Sequence, residues 1–131
     1  YIYSDYQCPI CPVHNVMMHK LAKEMKGIKI VHRNLPLDTS CNGYLQAPFH
    51  DGSCIDAKYA IAAEKQGRFW EMNNMLFEKT PQTEEAVLKY AEEMGLPKNF
   101  KRMQTALKQR RKLKLKLMTL TKEVFKVHHQ L

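Results

Sequence analysis

The chain has 131 residues, 44% of them hydrophobic and 26% charged, which fits one globular domain and excludes a disordered chain. No apolar run approaches the roughly 20 residues of a membrane-crossing helix. The net charge of +8 is uneven, because the stretch from Lys98 to Leu131 carries 11 basic residues against one acid, Glu123. A basic tail on a near-neutral body suits an anionic partner. It has neither interleaved aromatics nor a recognisable nucleic-acid module, so nucleic-acid binding is not expected.

In chain order, Tyr1 to Tyr6 reads as a short strand. A chain opening on Tyr1-Ile2-Tyr3 without Met is expected to be a processed or trimmed piece. Pro9 suits a first helical position, which places a helix start at Gln7-Cys8-Pro9. Val13, Val16, Met17 and Leu21 recur at helical spacing and Gly27 supplies a stop. Ile28 to His32 is β-rich, so strand, helix, strand predicts a βαβ unit with parallel strands.

Asn34 to Ser53 is a long loop containing Pro36, Gly43, Pro48 and Gly52, and a loop of that length calls for a staple or a function. Cys54 to Gln66 is a mostly buried helix ended by Gly67. Arg68 to Glu78 carries Phe69, Met72 and Leu76 on one side, and Trp70 beside them is expected in the core. Thr83 caps a further helix, with Glu84 and Glu85 at its positive end and Gly95 and Pro97 closing it. In the tail, Leu113, Leu117, Leu120, Val124, Val127 and Leu131 are spaced by fours and threes, which predicts helix over most of 99–127. The stripe must be buried, on the chain's own body or in a homodimer.

The four cysteines sort into a tight pair, Cys8 and Cys11, and a loose pair, Cys41 and Cys54. Two thiols three residues apart at a strand-to-helix turn can close a disulfide within one turn. Unpaired amides at the helix start would favour a Cys8 thiolate, the attacking species in disulfide exchange. Cys11, deeper in the helix, would resolve the mixed disulfide. The rival readings are zinc, with His14 three residues beyond Cys11, and an inert disulfide. Redox use is preferred, with no metal and no cofactor, because Cys41 and Cys54 form no second zinc knuckle. Those two flank the long loop and read as a structural disulfide, the other option being a second, regulatory dithiol. No Walker A loop, GxGxxG or HExxH run is present.

Ser4-Asp5-Tyr6-Gln7-Cys8-Pro9-Ile10-Cys11 resembles the active-site segment of DsbA-like thioredoxin-fold proteins. His32 to Asp38 resembles the second strand and exit loop of that group. Cys41-Asn42 with Pro48 to Cys54 is similar to a branch with an extra cysteine pair, which includes thioredoxin-like domains associated with vitamin K epoxide reductase homologues. Ala57 to Phe77 resembles the group's inserted helical region.

The resemblance implies an α/β thioredoxin-like fold with an inserted helical subdomain, here lacking the usual C-terminal hairpin. The expected divisions are a βαβ active-site half over 1–35, a stapled loop over 36–55, a helical insertion over 54–111 and a basic amphipathic tail over 112–131. It implies a periplasmic or otherwise extracytoplasmic protein-disulfide oxidoreductase acting on thiols or disulfides of exported proteins. Cys8 and Cys11 would be catalytic, Pro9 and Ile10 would modulate them, and a membrane protein of the vitamin K epoxide reductase or DsbB type is a possible redox partner. The alternatives are a redox-inert thioredoxin-like binding module using the basic C-terminal helix, and a zinc-binding domain.

Overall fold

The computed structural model describes residues 1–81, 83–96 and 127–130. Strand β1 (Ile2–Ser4) leads through a double turn into α1 (Cys11–Glu24), then β2 (Lys29–Asn34). After the long loop come α2 (Ser53–Glu64), α3 (Phe69–Lys79) and α4 (Glu84–Glu93), and β3 (Val127–Gln130) completes the order. β1 and β2 pair in parallel, with Ile2 opposite His32 and Ser4 opposite Asn34. β3 runs antiparallel on the other side of β2, with Lys29 opposite Gln130 and His32 opposite Val127. β2 is therefore the central strand of the three, which explains why Ile30, Val31, His32 and Asn34 are all buried.

Two expectations change here. The helix was expected to begin at Gln7-Cys8-Pro9, but α1 starts at Cys11 with Ile10 as N-cap and Pro12 in its first turn. The cause is local. Asp5 Oδ1 accepts the Gln7 amide at 2.7 Å, and the Cys8 and Cys11 amides donate to the carbonyls of Asp5 and Cys8. Two consecutive turns thus use up the residues before the helix, and Pro9 disfavours helical backbone at Cys8. The second change is at the C-terminus. Val127, expected at the end of a tail helix, begins strand β3. Ladder bonds to β2 outweigh the spacing preference of a four-residue segment. The rest of the expected tail helix lies outside the described residues.

The core is built by α2, α3 and α4 against Tyr6. Ala60, Ala62 and Ala63 of α2 are small enough for α3 to bring Phe69, Met72, Leu76 and Phe77 into close contact, and Val87 and Ala91 close the layer from α4. α2 and α4 end alike. The amides of Arg68 and Leu96, one residue past Gly67 and Gly95, donate to Ala63 O and Ala91 O at 2.9 and 3.0 Å after α2 and α4 respectively. Both closures need left-handed backbone, with φ +71° at Gly67 and +74° at Gly95. At the head of α4, Thr83 Oγ1 accepts the Ala86 amide, and Glu84 and Glu85 occupy the first turn.

Polar groups tie the layers together. The Tyr6 hydroxyl donates to Asn73 Oδ1 at 3.1 Å, and Asn73 Nδ2 donates to Asn15 Oδ1 at 3.0 Å, so the turn after β1, α3 and α1 share one network. His32 sits among Tyr6, Phe69 and Phe77 with its Nε2 3.1 Å from Asn34 Oδ1. Burial holds this imidazole neutral, lowering its pKa to about 4.

Candidate functional site

The turn between β1 and α1 brings Cys8 and Cys11 together as free, half-buried thiols. The Cys11 thiol is pushed up to about 11, first by burial, then by its hydrogen bond with Cys8 and by the charge of Asp5, against a backbone hydrogen bond that acts downward. Cys11 is thus held as a neutral thiol. Cys8 stands three residues ahead of the first residue of α1, outside the helix in which it was expected to sit. Of the flanking pair, Ile10 is exposed and forms the N-cap, and Pro9 is exposed beside it.

Beneath the thiols lies an acid cluster that sequence reasoning missed. Asp5 is buried and anchors the loop, since Leu37 N donates to its Oδ2 at 2.6 Å and His50 Nδ1 lies 3.2 Å from the same oxygen. Asp56, on the inner face of α2, is buried and accepts a hydrogen bond from Gln7 Nε2 on Oδ2. The same Gln7 nitrogen donates to Pro81 O at 3.0 Å. Asp56 Oδ1 has no hydrogen-bond partner among the described residues. Burial pushes the Asp56 carboxyl up to about 7, with the Asp5 charge adding to the rise and the Gln7 bond opposing it. An acid near the start of a mostly buried helical run, Ile55 to Ala63, was the available signal for Asp56. Nothing local ties His50 to Asp5, 45 residues earlier in the chain.

Cys41 and Cys54 are joined by a disulfide with Cα atoms 5.9 Å apart, linking the long loop to the first turn of α2. Asp38 orders the same loop. Burial alone would raise its pKa, but the amides of Ser40 and Gly52, at 2.8 and 3.1 Å, help hold it below the ordinary carboxylate range. Among the described residues no group of three or more His, Cys, Asp or Glu side chains could hold a metal ion. His14 does not join the cysteines in such a group.

Chemically, the site offers two neighbouring thiols, one kept protonated, over a carboxyl that takes up or releases a proton near neutral pH. No protein-family model and no solved structure matches the chain. The chain is 33% identical over 95 residues to a Salinispora tropica protein named Na(+)/H(+) antiporter NhaA 3. It is 34% identical over 95 residues to Na(+)/H(+) antiporter NhaA 1 of Salinispora arenicola. Each match takes in 72% of this chain, and the matched part is only 13% of the curated relative. These names correct the expected function: they denote cation and proton transport, and the expected thiol–disulfide oxidoreductase with a DsbA-like redox-active centre is overturned by them.

Proposed function

We propose that this chain is a domain lying outside the bilayer in a protein of the sodium/proton antiporter type, where it serves transport without forming the ion path. The observation that carries the reading is the pair of 95-residue matches to proteins bearing that name. Among the described residues no helix is long and apolar enough to cross a membrane, which supports a role beside the ion path rather than within it. The Asp5–Asp56–His50 cluster supports a response to protons, because it places a buried carboxyl with a spare oxygen next to a second acid.

The thioredoxin-like architecture belongs to the same proposal. Its support is the pair of parallel strands flanking α1, followed by the helical layer of α2 to α4. An extracytoplasmic position is also proposed, supported by the Cys41–Cys54 disulfide, which persists where the surroundings are oxidising.

The test uses the S. tropica relative in sealed vesicles. Sodium-driven proton movement is followed across a pH series for the intact protein, for one lacking the matching segment, and for one carrying this chain in its place. We expect deletion to change the pH profile and the replacement to restore it. Identical profiles with and without the segment would overturn the reading.

A further inference from the structure

Ten large hydrophobic side chains are exposed among the described residues, and six of them lie between the N-cap and the C-cap of α1. They are Ile10, Val13, Val16, Met17, Leu21 and Met25. Steps of three and four place Ile10, Val13, Met17, Leu21 and Met25 along one stripe, with Val16 beside it. The opposite side of the helix turns Ala22 and Cys11 to the body. Val16 and Met17 are 67% and 56% exposed, so the stripe is uncovered at its centre. Lys20, Lys23 and Lys26 stand around it, and Glu24, paired with Lys20 at 3.8 Å, is the acid of that face. Alongside runs a groove of about 520 Å³ between α1 and α3, bordered by Val16, Lys20 and Lys23 on one wall and by Phe77 and Glu78 on the other, with Glu78 paired to Lys79 at 3.1 Å.

Charge selects the occupant. A second copy would bring a net +8, and the chain's own segment from Lys98 onward is more strongly basic still. Both would meet the α1 lysines with like charge. An anionic partner is complementary. The stripe is aliphatic and thioether throughout, without the Trp, Tyr or Arg anchors that concentrate energy in protein interfaces. Aliphatic side chains flanked by lysines that extend their ammonium groups outward match the boundary between acyl chains and phosphate headgroups.

We propose that α1 docks its exposed stripe in the plane of an anionic lipid bilayer, with Lys20, Lys23 and Lys26 reaching the headgroup phosphates. The inference stands on α1 and does not depend on the antiporter reading. The vesicle experiment below contains no transporter, so its failure is separate from failure of the flux assay.

The test is co-sedimentation of the full 131-residue chain with vesicles of mixed phosphatidylglycerol and phosphatidylcholine, and with phosphatidylcholine alone. The chain is expected to bind the anionic vesicles and release with salt. Val16→Ser/Met17→Ser leaves every charge in place, so any attraction due to the basic tail is unchanged. We expect it to weaken binding by at least about tenfold. Leu21→Ser/Met25→Ser, on the same stripe, is read in parallel in case the first pair fails to fold. Absence of binding to anionic vesicles overturns the proposal. So does equal binding to both lipids, or folded variants that bind as tightly as the parent, which would assign the attraction to the tail alone.

Discussion

Gln7 donates its side-chain amide to Oδ2 of Asp56, 49 residues further along the chain, and in doing so fastens the turn after β1 to the first turns of α2. The bond compensates one oxygen of a buried carboxyl and leaves the other unmatched. Asp56 is therefore a strained feature in the electrostatic sense, neutral when comfortable and costly when ionised.

Asp56 should make stability depend on pH in a definite direction. Its carboxyl ionises near 4 in an unfolded chain but at about 7 here, so the folded state binds the extra proton between those values. Stability contributed at low pH is lost as pH rises through about 7, where Asp56 must ionise in place. Asp56→Asn should therefore gain on the parent as pH increases, by at most about 4 kcal/mol between pH 4 and pH 8. Urea unfolding of both proteins across that range measures it. The effect of His32, which works in the opposite sense, is common to both and cancels in the difference. A difference independent of pH would exclude the assignment.

Cys11 should alkylate slowly. With its thiol held at about 11 instead of the ordinary 9.0, the thiolate fraction at pH 8 is about a hundredfold lower than in an unfolded chain. Iodoacetamide time courses read by peptide mapping, with and without urea, should show that ratio at Cys11. Equal rates in the two conditions would refute the burial argument.

The Cys41–Cys54 link closes a segment with a sequence separation of 13. In the chain-entropy account such a closure stabilises by roughly 3 kcal/mol. Cys41→Ala/Cys54→Ala should lower the unfolding free energy by about that amount while the α2–α3 core keeps its helical signal. A loss under about 0.5 kcal/mol would mean that Asp38 and its amide contacts order the loop without the bond.

Thr83 is the side chain that caps α4, through the Ala86 amide at 3.3 Å. Thr83→Ala should cost about 1 kcal/mol, and Thr83→Ser should recover most of it because the accepting oxygen is restored. Thermal melts of the three proteins decide the point; equal losses for both variants would show that the hydroxyl is not the cap.

Much of the local architecture follows from short-range chemistry in the chain itself. β-rich runs around Tyr3 and Val31 form strands, the alanine-rich segment after Cys54 forms a buried helix, and Thr83 and Gly95 bracket α4. These depend on periodicity, caps and glycine backbone freedom, all carried by neighbouring residues. What neighbours cannot carry needed the tertiary structure. Val127 enters a strand because β2 offers it a backbone edge. Cys8 falls outside α1 because Asp5 spends the preceding residues on turns. Asp5, Gln7, His50 and Asp56 meet only when the loop and α2 fold back on β1, and the Asp56 proton is held by burial that no single segment creates. The α1 stripe reads as a core face by its spacing, yet stands exposed, because the body packs on the other side of that helix. Spacing marks which residues share a face, while the choice of the face that is covered belongs to the packing of distant elements.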